Sequence, residues 1–379
     1  MSTRGKTTLQ IYDSIGGAAF FEQLILEWEN AGWIVRRHHA LQQAEYRITR
    51  TLLQSMKLRW RMYGGFAWSS WRAARQSNGP VNIRVVTTNP FFAPALVNKA
   101  STGRGVTVNL LYDLFPDALY HSGVVKKNTW IARRCAMITR YALRECAVTV
   151  FLGERLRRHA EQTYGKARRS IMIPVGADGS RFRDYPPERV SGPLTILYAG
   201  QMGRMHDVST LKHAILAEVP SGLEFIFHAS GSGYASLRKS CETVEHCRWS
   251  GALLDEDWSH AMRQAQVALV AMVLGAENVV MPSKTYSALV AGQAILAICP
   301  RESDLADLVL KYDCGWVVEP GDVEGLRTIL GKIVQDPEGL LEKRRRAFAC
   351  GHSEYDVRVL AKKWIELFRE LETEMGKTK

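Results

Sequence analysis

The chain has 379 residues, 46% of them hydrophobic, and a formal net charge of +12. That length fits two domains of ordinary size with full cores, and no apolar run approaches the about 18 residues needed to span a bilayer as a helix. The seven cysteines form no CxxC pair, their count is odd and no leader segment stands at the start, so a reducing, cytoplasmic compartment is expected. No cluster of Cys, His and carboxylates has metal-ligand spacing, and no metal is expected. The charge is unevenly placed. Residues 1–190 hold 29 Lys and Arg against 13 Asp and Glu, whereas residues 191–379 hold 21 against 25. Such asymmetry is expected when one half faces a polyanion, either nucleic acid or an anionic membrane surface.

In chain order, "TLQIYD" reads as a strand, "SIGGAAFFEQLILEWENAG" as a glycine loop and an amphipathic helix ending at Gly32, and "WIVRRH" as a second strand. Residues 46–75 then hold seven Arg or Lys and six Trp, Tyr or Phe. Arg47, Arg50, Lys57 and Arg61 fall on one helical face, and Leu53, Met56, Trp60 and Tyr63 on another, before Gly64-Gly65 breaks the helix. A basic amphipathic helix with aromatics suggests contact with an anionic membrane surface. The same pattern also suits a core-packed helix with a solvated basic side. No recognised nucleic-acid module appears, so no nucleic-acid partner is expected.

The strands "VNIRVVTT", "VTVNLLYD", "CAVTVFLG" and "RSIMIPVG" follow, with the helix "NTWIARRCAMITRYALRE" among them. The first two of these strands run into Pro-containing turns, and "DLFPD" places Asp113 and Asp117 around the second turn. They suit a polar site, or a turn with an Asp capping a helix. Gly16 and Gly17 form the first strand-to-helix turn and could admit a substrate or simply make a tight turn. Arg181 to Pro193 looks like a linker. The alternation restarts with "LTILYAG", "LEFIFHASG", "CRWSGAL", "VALVAMV", "AILAIC" and "CGWVVEP" as strands, with helices over "DVSTLKHAILAEV", "YASLRKSCETV" and "DEDWSHAMRQA". "SEYDVRVLAKKWIELFRELETE" closes the chain as a long amphipathic helix. The whole reads as two α/β domains in tandem, each doubly wound.

Three glycine- or proline-marked turns follow strands of the second half, near residues 200, 231 and 282. In open α/β sheets ligands sit beyond the carboxyl ends of the strands. "YAGQMGRMHDVSTL" supplies Gly200, Gly203, Arg204 and His206, and "ASGSGYASL" supplies Gly231. In "ENVVMPSKTYSALVAGQAILAICP", Pro282 stops what precedes it and Ser283 suits an N-cap. A helix then runs over Thr285 to Ala291, and Gly292 suits the C-cap. Backbone N–H groups and the Lys284 ammonium would thus gather where a diphosphate could bind.

In their order along nearly the whole chain, "VVTTNPFFAPAL", "LLYDLFPDALYHSGV", "VTVFLGERLRRHA", "IMIPVGAD", "LYAGQMGRMHD", "VVMPSKTYSALVAGQAILA" and "CGWVVEPGD" resemble the GT-B-fold family 4 glycosyltransferases, most of all the branch that builds bacterial surface polysaccharides. The resemblance implies two Rossmann-like domains facing a cleft. The acceptor domain would be 1–188, the sugar-nucleotide donor domain 189–353, and a C-terminal helix, 354–375, would cross back to the first. It implies a retaining hexosyltransferase, without cofactor or metal. A UDP- or GDP-sugar would be the donor, and the hydroxyl of a saccharide or lipid-linked saccharide the acceptor. The enzyme would work at the inner face of the cytoplasmic membrane.

Asp113 and Asp117 would then stand at the reacting groups. Gly200, Gly203, Arg204, His206, Gly231, Glu277, Ser283, Lys284 and Thr285 would hold the donor, and Gly16 and Gly17 the acceptor. Gln201 and His206 stand where many members have Arg and Lys, Val279 and Ser287 where many have two glutamates, and Tyr112 where many have His. Arg204 and Lys284 would therefore carry more of the phosphate charge. A sugar-nucleotide epimerase on the same fold, or a non-catalytic scaffold protein, are the alternatives.

Overall fold

Central strands such as "VALVA" and "AILAI" are apolar without alternation, which is what a parallel sheet covered on both faces requires. The computed structural model bears this out, and describes residues 7–17, 19–42, 45, 52–76, 82–101, 105–189, 192–217 and 219–377. Two units result, one of residues 1–174 with 360–379 and one of residues 175–359.

The first unit is built on β1 (Thr8–Tyr12), β3 (Ile34–His38), β5 (Asn82–Thr87), β6 (Gly105–Leu111), β7 (Val148–Phe151) and β8 (Ser170–Met172). They form a six-stranded parallel sheet in the order β3-β1-β5-β6-β7-β8. A small side ladder joins β2 (Ile15–Gly16) to β4 (Leu41–Gln42). The strand order reverses direction between β1 and β5, so the turns after those two strands diverge and leave a crevice between them. On one face, the helix Ala19–Asn30 buries Trp28, and the C-terminal helix Val357–Lys377 lays Trp364 and Phe368 against it at 5.5 and 5.1 Å between ring centroids. The end of the chain thus returns to the first unit, as expected. Its helix starts later, because a π-helical turn over Gly351–Tyr355 and an extended Asp356 precede it.

The stretch around Gly64-Gly65 corrects the sequence reading. The helix does not break there. Helix Leu52–Trp60 passes through a π-turn, Arg61–Gly65, into helix Phe66–Gln76. The glycines instead make room for an indole, since a Cβ at Gly64 would lie 3.2 Å from Trp60 Nε1. Met62, Phe66 and Ala74 face the core, while Leu53, Met56, Trp60, Tyr63, Trp68 and Trp71 are exposed. The aromatic stripe is therefore not the core of this unit. Arg61 leaves the basic face to donate to the Ala40 carbonyl at 2.9 Å and to pair with Glu45. Arg47 and Arg50 lie outside the described residues.

The second unit has β9 (Leu194–Gln201), β10 (Leu223–Ser230), β11 (Cys247–Ser250), β12 (Val267–Ala271), β13 (Ala294–Ile298) and β14 (Gly315–Val318) in the order β11-β10-β9-β12-β13-β14. All neighbours are parallel, and the reversal falls between β9 and β12. Helices Val208–Leu216, Ser232–Cys241 and Val323–Gln335 bury one face around Phe225, Phe227 and Leu296.

The expected linker, 181–193, is instead largely fixed within this unit. Phe182 is buried against Trp258, and Arg344 donates to the Glu188 carbonyl at 2.7 Å. The unit begins at Val175, ahead of the expected residue 189, because Ala177 pairs with the backbone around Asp356 where the chain leaves again.

Candidate active site

In the second unit, the turn after β9 stands at the strand reversal. Gly200 has φ +111°, a left-handed conformation that favours glycine. Gly231, with φ +108°, starts the neighbouring turn, and a Cβ there would meet the Met202 carbonyl oxygen at 2.5 Å. The two turns are stitched together. Met202 N donates to the Ser230 carbonyl at 2.8 Å, and Gly233 N returns to the Met202 carbonyl at 2.9 Å. The loop after β12 joins them through Val273 N, which donates to the Met205 carbonyl at 3.0 Å. Three turns that are distant in sequence are thereby one rigid rim.

Lys284 rises into this rim. Its ammonium lies 3.5 Å from the centroid of the Tyr198 ring and 3.4 Å from the Gln201 carbonyl oxygen, which also accepts from the Tyr198 hydroxyl. Among the described residues it has no carboxylate partner, and burial pushes its pKa down to about 7. A cation held without an anion is poised to gain one. His206 Nδ1 lies 3.0 Å from Gly203 N and 3.3 Å from the Gly203 carbonyl oxygen, which ties the ring to the loop backbone. Burial and the nearby Lys284 charge hold its pKa down to about 4. His206 therefore offers a hydrogen bond and a brace, not a charge. Arg204 is exposed on the same loop. Asp207 caps the following helix by accepting from Thr210 N at 3.1 Å.

Glu277 is turned back on its own loop, where it accepts from Gly275 N at 2.6 Å. Ser283 is exposed but makes no capping bond, and the helix it precedes runs over Lys284–Val290. Thr285 is entirely buried with its hydroxyl unpartnered among the described residues, so in this conformation it cannot meet a donor phosphate. One turn along the helix from an inward-facing Ala288, it follows the core side that Lys284 avoids.

The first unit gathers a different set at its own strand reversal. Asp13 directly follows β1, and its backbone N donates to the His38 carbonyl while its carboxylate accepts from Ile15 N at 3.3 Å. Burial raises its pKa to about 7. Asp113, two residues past β6, is raised by burial to about 6. Tyr112 lies near enough to both that their charges, after burial, push its phenol upward, and its hydroxyl has no partner among the described residues. Thr88 fixes the backbone between them, accepting from Tyr112 N at 3.0 Å. Gly16 and Gly17 follow Asp13, with the His39 ring 3.1 Å from where a Gly16 Cβ would be.

Asp113 is thus a buried carboxyl beside Tyr112. Asp13 was missed, although a polar residue that ends an apolar strand just before a glycine turn is a visible signal in "QIYDSIGG".

Asp117 does not join this group. It is buried, accepts the Tyr164 hydroxyl and lies 3.2 Å from His159 Nε2, and those contacts hold its pKa down despite its burial. It ties the short helix Asp117–His121 to helix Glu154–Tyr164. We expect Asp117→Ala to cost about 1–3 kcal/mol of stability, as for a buried partner removed, with turnover per folded molecule unchanged. Denaturant titration alongside a rate assay checks both. A stable but inactive variant would return Asp117 to the reacting groups.

Two Rossmann-like units, each with polar groups at its strand reversal, define the GT-B class. No family model matches the chain. Over 261 residues it is 22% identical to a probable glycosyltransferase of Pseudomonas aeruginosa, WbjE, and the aligned part is 65% of each chain. Its structure is similar, over 97% of its length, to the whole of sucrose-phosphate synthase from Thermosynechococcus elongatus, with a TM-score of 0.73 at 13% identity. Over 96% of its length it is similar to the whole of Anabaena HepE, solved in complex with UDP, with a TM-score of 0.70 at 13% identity. The same protein in complex with UDP-glucose gives 0.68. These likenesses establish the GT-B fold that the sequence motifs implied.

Proposed function

We propose that the chain is a glycosyltransferase that moves a sugar, with retention and without a metal, from a UDP- or GDP-sugar to an acceptor hydroxyl in the synthesis of a bacterial surface polysaccharide. The observation that carries this reading is Lys284, a cation without a carboxylate partner among the described residues, set in a rim of three stitched turns at the strand reversal of the second unit. The leaving group of such a transfer is a nucleoside diphosphate, and fixed donors aimed at its developing charge lower the barrier. Lys284 would meet that charge, with Arg204 and the backbone of the Gly200–Gly203 loop beside it. In the first unit, Asp13 and Asp113 would accept the acceptor's hydroxyl proton in a hydrogen bond, each with a pKa close to working pH. The likeness to a probable glycosyltransferase and to a structure holding UDP-glucose supports the same donor class.

A lipid-linked acceptor fits the first unit's basic, aromatic surface, with Trp60 68% and Trp68 62% exposed beside Lys57, Arg59, Arg72 and Arg75. Arg72 and Arg75 lie over the Trp68 and Trp71 rings. No helix among the described residues is long and apolar enough to cross a membrane, so such contact would be peripheral.

The test is a thermal-shift screen of sugar nucleotides, followed by transfer with chelator present. A ligand at 100 times its Kd should stabilise the fold by ~2.7 kcal/mol. No shift with any sugar nucleotide rejects the reading. Isomerisation of the donor alone would favour an epimerase, and binding without turnover a scaffold.

A further inference from the structure

On the sheet face opposite Trp28, helix Phe66–Gln76 packs on helix Ala93–Ala100, and that helix packs on helix Trp130–Glu145. Neighbouring helices lie about 8–10 Å apart, so the outer two are separated by roughly 20 Å on one side of the first unit. The far helix carries its own stripe. Trp130 is 74% and Met137 55% exposed, with Ile131 also exposed, and Arg133, Arg134 and Arg140 stand out beside them. Among the described residues no carboxylate pairs with those three arginines. The sequence around them contains no acid either. Residues 46–112 and 118–144 hold no Asp or Glu. Ordinary exposed helices mix both signs, whereas here both stripes and the helix between them are strongly basic, and the far helix carries a single acid, Glu145 at its end, paired with Arg144.

We propose that helix Trp130–Glu145 is a second contact with an anionic phospholipid surface, so that the first unit seats on a bilayer through two stripes. This rests on the membrane reading above and adds a residue set to it. Charge selects an anionic partner, and the apolar side chains select a bilayer over a nucleic acid. Trp, Ile and Met gain by entering the headgroup boundary, while a phosphodiester backbone gives them nothing to enter. Two stripes also fix the unit's rotation about either one, holding the end of β1 at a constant height above the lipid.

The experiment is sedimentation of the full chain with phosphatidylcholine vesicles and with vesicles of equal parts phosphatidylcholine and phosphatidylglycerol. Each arginine near the surface contributes about fivefold, so Arg133→Gln/Arg134→Gln/Arg140→Gln together should lower partitioning roughly a hundredfold. Only the phosphatidylglycerol vesicles should bind wild type. As a check independent of those charges, brominated lipid should quench wild type more than Trp130→Phe. Unchanged partitioning of the triple variant, with loss in Lys57→Gln/Arg59→Gln/Arg72→Gln/Arg75→Gln, overturns this proposal and leaves the membrane reading standing. No binding of wild type to either vesicle overturns both, and turnover on a water-soluble acceptor still judges the transferase reading by itself. Tight binding of a single-stranded oligonucleotide, lost in the triple variant while vesicles are ignored, would assign the surface to nucleic acid.

Discussion

Lys284→Ala should lower transfer by ~100-fold or more, the usual cost of removing one donor to a developing oxyanion, while the fold survives. The side chain is half-buried, touches Tyr198 and the Gln201 carbonyl, and makes no ion pair among the described residues. Its loss therefore leaves no buried charge stranded. The pH dependence is the sharper test. Burial lowers the pKa of Lys284 to about 7 in the empty site, and a bound diphosphate favours the charged form. Donor affinity should then fall as pH rises through 7, by up to about tenfold per pH unit for a single proton. Binding above that pH should also take up a proton, which calorimetry in buffers of different ionisation enthalpy detects. His206, held neutral down to about pH 4, adds no charge change in this window. If Lys284→Ala keeps its rate, or its donor affinity falls with pH as steeply as wild type, the lysine does not meet the diphosphate.

The central strands and the two doubly wound domains follow from features the sequence displays, apolar runs bounded by glycine turns, whereas the strand order and the two reversals are set by the packing of helices on each sheet. What was legible at the site were the residues whose backbone matters, Gly200 and Gly231, whose positive φ follows from residue type and turn position. Side-chain roles were less legible. "DLFPD" shows two equivalent carboxylates, yet one faces Tyr112 and the other is consumed by Tyr164 and His159 from a helix more than thirty residues away. Nothing local encodes that difference. The aromatic stripe of 52–76 was ambiguous for the same reason. Only the packing of Met62, Phe66 and Ala74 inward decides that Trp60 and Trp68 face out. The helices Asp304–Lys311, Val323–Gln335 and Pro337–Cys350 stand outside the sequence expectations, although Ser303, Asp322 and Asp336 each cap one with a side-chain oxygen. A capping Ser or Asp is a start signal that the sequence itself displays, independent of any glycine turn.

Asp13→Asn should stabilise the protein and disable it together. An aspartate whose folded pKa is about 7, against an ordinary value of 3.8, holds its proton more tightly in the folded state than in the unfolded chain. The stabilisation from the protonated form is complete below about pH 4 and is lost as pH rises through 7. At pH 8 the ionised, buried carboxylate is then a liability of about 2–4 kcal/mol, since a tenfold change in proton affinity is worth about 1.36 kcal/mol. Asparagine keeps the shape and the acceptor for Ile15 N but cannot ionise. Its melting temperature should exceed wild type at pH 8 and match it at pH 4. Transfer should fall by about 100-fold or more, the usual worth of a positioned proton acceptor. Stability retained at a cost in activity is what a carboxylate kept for chemistry predicts, because a purely structural Asp would lose on both counts when replaced. Melting curves at the two pH values and one rate measurement decide it. A variant that is less stable at pH 8, or as active as wild type, would make Asp13 a turn residue and leave Asp113 alone beside Tyr112.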